Sequence, residues 1–240
     1  KNTNITYGNV DIQSGENEFD YYLLQDSNLN NVSFYANLYG KTGEAQSLQF
    51  SNINCVNCYF NVYAYRVYKE LNLNIVNSSF KNGSFQIQGG RHQNTSQGVF
   101  LTVSNSIFDN SQLYMYGLST IEAKRNVFFQ RGFTLQQISY VNTSVLSYDF
   151  SNNTFCGTPG SNSSIQATEN NANFSSSKVS IKANNFCLSG PYAARIGTGA
   201  NSNLDLSGNN WTSVHRSDIE KLLYDRKTDI NIRNFINVDD

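Results

Sequence analysis

Hydrophobic and polar residues alternate along nearly the whole chain in a unit reading apolar–x–apolar–x–Asn–x–x–aromatic. Copies run through Leu73, Ile75, Asn77 and Phe80; Leu101, Val103, Asn105 and Phe108; and Tyr148, Phe150, Asn152 and Phe155. Others close at Ile12 (Ile5, Tyr7, Asn9), Phe34 (Leu29, Asn31) and Phe60 (Ile53, Cys55, Asn57). Three more close at Phe128, Phe186 and Trp211, with Arg125, Ala183 or Gly208 in the Asn slot. A period of two predicts strands rather than helices. Recurrence of the unit every 20–31 residues predicts a solenoid of about nine coils.

In a stacked coil, alternate residues point inward and each sits about 4.8 Å above its counterpart in the coil before. Phe34, Phe60, Phe80, Phe108, Phe128, Phe155, Phe186 and Trp211 are thereby expected to form one internal stack. The Asn belongs to a turn, because Asn tolerates left-handed backbone. Gly208 suits that slot for lack of a Cβ. Arg125 and Ala183 suit it less, which predicts a change of turn shape in their coils. An antiparallel sandwich also supplies many short strands, but its strands do not share one in-register unit.

The pattern resembles the right-handed parallel β-helix of the pectate-lyase-like superfamily, over about Ile5 to Val238. That resemblance implies an all-β solenoid and leaves function open, since the fold carries lyases, hydrolases, tailspikes, adhesins and stalks. Pectate lyases of this fold use clustered carboxylates for Ca²⁺ and an Arg base. Polygalacturonase-like members use several Asp with Gly-His-Gly. This chain has no Gly-His-Gly, and its one Arg-Ile-Gly, Arg195-Ile196-Gly197, lacks the accompanying residues.

After Trp211 the pattern changes, dividing a β-helix at 1–211 from a cap at 212–240. Ser217-Asp218-Ile219-Glu220 has capping-box spacing. With Ile219, Leu222 and Leu223 on one face it predicts a helix over about 217–225. A tail alternating at Ile230, Ile232, Ile236 and Val238 follows. A lid is needed because a bare last coil exposes apolar stacks and strand edges. No such helix precedes Ile5, so the N-terminal edge is expected to continue into further chain or to meet a partner. The start at Lys1, with no leader pattern, reads as a mature product or a fragment.

Only 15% of the 240 residues are charged and the net charge is −1, which argues against nucleic acid or an anionic membrane as partner. No segment approaches the ~18 apolar residues of a membrane-spanning helix. Cys156 and Cys187 each follow a closing Phe in consecutive coils, so stacking makes them neighbours and a disulfide is expected. Cys55 and Cys58 form a lone CxxC without a second pair or a spaced His, which reads as a buried thiol pair or a local bridge, not a zinc site. Neither a metal nor a cofactor is expected. Cysteine usage points to an extracellular or cell-surface compartment. Of ten Asn-x-Ser/Thr sequons, Asn82, Asn94, Asn142, Asn162 and Asn173 read as loop acceptors for glycans. Asn31, Asn77 and Asn152 read instead as turn residues whose amides are engaged by the backbone.

Two surfaces are candidates for function. Glu122 and Asp149 stack outward in adjacent coils beside Lys124. Carboxylates ~5 Å apart are the spacing of retaining glycosidases, although a solvated surface patch partly neutralised by Lys124 is the favoured explanation. A strand after each closing aromatic sets Tyr39, Tyr63 and Tyr65, Gln86 and Gln88, Tyr114 and Tyr116, and Gln136 outward in an uncharged stripe. Aromatic faces among amides suit sugar rings or a protein surface. The expectation is an extracellular structural or adhesive β-helix in a surface layer, filament or stalk, in contact with a glycan, another copy or a second protein. The alternative is a polysaccharide lyase or glycoside hydrolase of this fold, such as a phage tailspike.

Overall fold

The computed structural model describes residues 3–13, 21–39, 45–66, 70–89, 98–118, 120–137, 147–157, 165–169, 179–188, 193–198, 203–213 and 215–239. They form a parallel β-solenoid. One nine-stranded sheet runs in order through Gly8–Gln13, Val32–Tyr39, Tyr59–Arg66, Ser84–Gly89, Gln112–Tyr116, Phe133–Gln137, Ile165–Glu169, Ala194–Ile196 and Leu223–Tyr224. A 14-stranded sheet makes the rest of the wall. It has a broad face (Glu70–Val76, Val99–Ser104, Thr120–Lys124, Ser147–Ser151, Val179–Lys182) and a narrow corner strip (Ser79–Lys81, Ile107–Asp109, Val127–Phe129, Thr154–Gly157, Asn185–Leu188, Asn210–Trp211). In the earlier coil a single long strand, Ala45–Val56, bends round to serve both. About six turns are complete, fewer than the nine expected, because the end strands do not build full coils.

In the coils whose two corners are both described, both corners use the same five-residue step: inward, x, left-handed, x, x, inward. Phe50, Cys55 and Phe60 point inward, with Asn52 and Asn57 at φ 53° and 55° between them. Ile75, Phe80 and Phe85 repeat this around Asn77 and Asn82, at φ 51° and 54°. Arg125 and Ala183 adopt φ 57° and 56°, so the turn keeps its shape where a change was expected. Stacking against neighbouring coils outweighs the 1–2 kcal/mol that a Cβ costs there.

The single aromatic stack divides in two. Phe80, Phe108, Phe128, Phe155, Phe186 and Trp211 form one column inside the corner strip, with rings 4.3–5.2 Å apart. Phe34 and Phe60 instead register with Phe85 inside the nine-stranded sheet, and Cys55 lies beneath Phe80. The copies closing at Phe34 and Phe60 span the second corner, and those from Leu73 onward span the first. The copy read as closing at Ile12 is out of register, because Asn9 lies within a strand opposite Ser33 and Val10, not Ile12, stacks with Phe34. The two groups still meet across the core, where Phe60 and Phe80 make an edge contact at 5.6 Å.

The first corner is lined by a buried polar ladder one position after the left-handed residue: Ser78, Ser106, Asn126, Asn153, Asn184 and Asn209. Each side-chain oxygen accepts the backbone N–H of its counterpart one coil earlier, from Ser78 N to Ser106 Oγ (3.1 Å) through Asn184 N to Asn209 Oδ1 (2.9 Å). The Asn amides also donate to carbonyls of the preceding coil, Asn153 to Ala123 and Asn184 to Phe150. Buried polar atoms are tolerated because they are paired.

The cap departs from expectation. Its helix spans Arg216–Glu220 only, with His215 at the N-cap and no side-chain cap bond. Ser217 falls inside the first turn, where it cannot cap, so the capping box does not form. Leu223 leaves the helix to pair with Ala194 as the last strand of the nine-stranded sheet, and Ile236–Asn237 pairs with Leu204–Asp205. Buried Asp225 ties these parts together by accepting the N–H groups of Lys227 and Ile236, each at 2.8 Å. Of the alternating tail, Ile232 and Ile236 are buried and Ile230 is exposed. Strand pairing, more than the helix, closes this end.

Candidate functional site

The outer face of the nine-stranded sheet carries the tyrosines and amides, in columns fixed by strand register. One column runs Asp11, Tyr35, Asn61, Gln86, Tyr114, Thr134, Gln166, Arg195, Tyr224, and Thr134 within it is buried. The next runs Gln13, Asn37, Tyr63, Gln88, Tyr116, Gln136. Tyr63 therefore aligns with Gln88, two positions from the alignment implied by pairing Tyr63 and Tyr65 with Gln86 and Gln88. The slip follows from Phe60, which belongs to this sheet rather than to the corner strip. Tyr39 is not the counterpart of Tyr65 either: the register shifts after Leu38, and Tyr39 pairs with Arg66. The side chains of Tyr65 and Gln136 lie outside the described residues.

Tyr114 and Tyr116 stand parallel, with ring centroids 6.1 Å apart and planes within 4°. Tyr63 is two strands from Tyr116 in the same column, with Gln88 between them. Partial burial, and then the neighbouring phenols of Tyr114 and Tyr63, hold the Tyr116 phenol above its ordinary value of 10.0. This face presents hydroxyls and amides over four coils without a formal charge from Val32–Tyr39 through Gln112–Tyr116, apart from Arg66 at its edge. Tyr35 and Tyr59, which the sequence pattern did not single out, are 41% and 53% exposed in the same coils. Their outward phase in an alternating strand was the available signal.

Glu122 and Asp149 stand in register in adjacent coils, as stacking requires. Lys124 reaches both, with Nζ 2.8 Å from Glu122 Oε1 and 2.9 Å from Asp149 Oδ2. Hydrogen bonds donated to Glu122, and then to Asp149, raise the Lys124 ammonium above its ordinary 10.5. The cation binds the carboxylates as a clamp, which disfavours use of either as a free acid or base. Among the described residues no group of three or more His, Cys, Asp or Glu is placed to hold a metal ion.

Both disulfides form. Cys156–Cys187 links registered positions of adjacent coils, with Cα atoms 4.5 Å apart. Cys55–Cys58 closes over the second corner. Gly83 lies against that corner, where a Cβ would come 2.1 Å from the Cys58 carbonyl oxygen, so only glycine fits.

Of the sequons read as loop acceptors, Asn82 is a left-handed corner residue whose Oδ1 accepts from Asn110 at 3.1 Å. The five-residue step places it there instead of in a loop. Asn94, Asn142, Asn162 and Asn173 lie outside the described residues. Asn77 and Asn152 are exposed at their corners, and the buried ladder expected of them is made by the following residues, the Ser78 hydroxyl and the Asn153 amide. Asn31 bonds to Asn30 and Asn57 side chains.

A smaller apolar cluster of Ile107, Val127 and Phe129 faces outward on the corner strip, beside Cys156. No helix among the described residues is long and apolar enough to cross a membrane. No protein-family model, curated protein or solved structure matches the chain.

Proposed function

We propose that this chain is an extracellular structural or adhesive β-helix that makes contact through its Tyr, Gln and Asn face. The observation that carries the reading is the pair of neutral columns, Tyr35–Asn61–Gln86–Tyr114 and Asn37–Tyr63–Gln88–Tyr116, held in strict register over four coils. Phenols offer a large rigid area with few rotors, and amides satisfy a partner's polar groups without the desolvation cost of charge. Two disulfides in a chain of this size support an oxidising compartment. The Lys124 clamp on Glu122 and Asp149 weighs against the lyase or hydrolase alternative.

The test is binding of the full chain to material extracted from its native surface and to an array of neutral and acidic glycans. Tyr63→Ala/Tyr114→Ala should lose the contact at unchanged melting temperature. A double variant that binds and assembles like the parent reduces the face to ordinary strand surface.

A further inference from the structure

Ile107, Val127 and Phe129 are 47%, 37% and 41% exposed and form one apolar cluster on the outside of the corner strip. A contiguous exposed apolar patch marks a surface that something covers. Asn77 and Asn152 stand at its two ends. They share the first-corner column with Asn105 and Arg125, because the residues before them, Val76, Ser104, Lys124 and Ser151, are in register. That places them three strand steps apart, about 14 Å at the usual sheet spacing. Each begins a sequon, Asn77-Ser78-Ser79 and Asn152-Asn153-Thr154. The two sequon hydroxyls bracket the cluster in a single outward column, Ser79, Ile107, Val127, Thr154.

The amides of this corner differ in what engages them. Asn52 Nδ2 donates to Asp26 at 2.8 Å, and Asn105 Oδ1 accepts from Arg125 Nε at 3.0 Å. Neither begins a sequon. The side chains of Asn77 and Asn152 are exposed and make no hydrogen bond among the described residues. Asn31 and Asn210 also begin sequons, but their Nδ2 groups donate to Asn30 and Asn185 at 3.1 and 3.0 Å.

We propose that Asn77 and Asn152 carry N-linked glycans whose inner sugars lie over Ile107, Val127 and Phe129. The sequence expectation for both positions is thereby reversed, and only the compartment rests on the extracellular reading. In the transfer, Nδ2 attacks the anomeric carbon of a lipid-pyrophosphate-linked oligosaccharide. The C–N bond forms, the C–O bond to pyrophosphate breaks, the lipid pyrophosphate leaves, and the nitrogen gives one proton to a base of the transferase. The sugar displaces no bond of the folded chain, because the corner ladder belongs to Ser78 and Asn153. Three coils leave room for two glycans, whereas neighbours only about 4.8 Å apart would collide. Pyranose rings present C–H groups on one face and hydroxyls at the rim, so they remove apolar side chains from water while staying solvated themselves.

Glycopeptide mapping of the native full chain tests the sites, using enzymatic release that converts each glycosylated Asn to Asp. Sugar is expected on Asn77 and Asn152 and absent from Asn31 and Asn210. Sugar missing from either Asn77 or Asn152 overturns the proposal. If the chain then carries sugar elsewhere, or both disulfides, the extracellular reading still stands; free thiols and no sugar overturn both. The cover is tested on chain secreted from a eukaryotic host. Ser79→Ala/Thr154→Ala removes both sequons while keeping both corner Asn residues, and should raise binding of an apolar dye roughly twofold or more. Enzymatic removal of sugar from the parent should give the same rise, which keeps the test open if the double variant folds poorly. Adding Phe129→Ser should return dye binding to the parental level. Unchanged dye binding after both treatments would show that the sugars leave the cluster bare.

Discussion

Asn153 Oδ1 accepts two bonds from Asn126, the residue one coil earlier at the same corner: its backbone N–H and its side-chain amide, each at 3.0 Å. Asn153 in turn donates to the Ala123 carbonyl at 2.8 Å and is fully buried. One side chain thus joins the corners of successive coils where no water is available to substitute.

Replacing Asn153 with Ala should therefore strand several buried partners at once. The expected loss is roughly 3–5 kcal/mol, read as a lower denaturation midpoint, since each unsatisfied buried group costs about 1–3 kcal/mol. Asn153→Asp should also destabilise, because a carboxylate accepts from Asn126 but cannot donate to Ala123. An Ala variant as stable as the parent would show the ladder to be incidental.

The corner strip permits a comparison of its two sides. Phe108 lies between the rings of Phe80 and Phe128, at 5.2 and 5.0 Å, and is fully buried. Phe108→Ala should cost about 3–5 kcal/mol. Phe129, one residue beyond the registered Phe128, is 41% exposed, and its Ala variant should change stability by less than about 0.5 kcal/mol. Chemical denaturation of both distinguishes column from surface, and equal losses would contradict the register.

Ala183 holds φ 56° at a corner where most other coils use Asn or Gly. Ala183→Gly removes the Cβ clash and should stabilise by about 1 kcal/mol, despite glycine's greater freedom when unfolded. A melting temperature that falls would mean that Ala183 packs favourably enough to offset its strain.

The Lys124 clamp predicts a pH dependence at the alkaline end. Its folded pKa is raised above 10.5 by Glu122 and Asp149, so its stabilisation is fully present below the unfolded value. That contribution is lost as pH rises through the folded value. The stability difference between parent and Lys124→Gln should be flat through neutral pH and shrink only above about 10.5. A difference that already shrinks below about pH 9 would assign the effect to another group.

Strand periodicity, the left-handed corners and the Cys156–Cys187 bridge were all legible in the sequence. Each depends on residues close together in the chain, or on a repeat that copies a local geometry. Period-two alternation reports which side chains point inward whatever the partner strand. Asn at a corner reports a positive φ that few other residues adopt readily.

Only the tertiary structure decided which corner each copy of the unit occupies. Both corners use one five-residue step, so Cys55–Asn57–Phe60 and Ile75–Asn77–Phe80 look alike in sequence and differ only in their neighbours. Pairing between coils broke that tie: Ala45–Val56 sets Phe50 against Ile75 and Cys55 against Phe80, which moves Phe60 to the other sheet and slides Tyr63 onto Gln88. The same non-local pairing drew Leu223 out of a helix and into a strand beside Ala194, where covering an open sheet edge outweighed the local helical signal. It also brought Asp11 and Arg195, distant in sequence, into one outward column. Local chemistry determined the shape of a single coil, whereas the hydrogen bonds between coils determined which residues share a face.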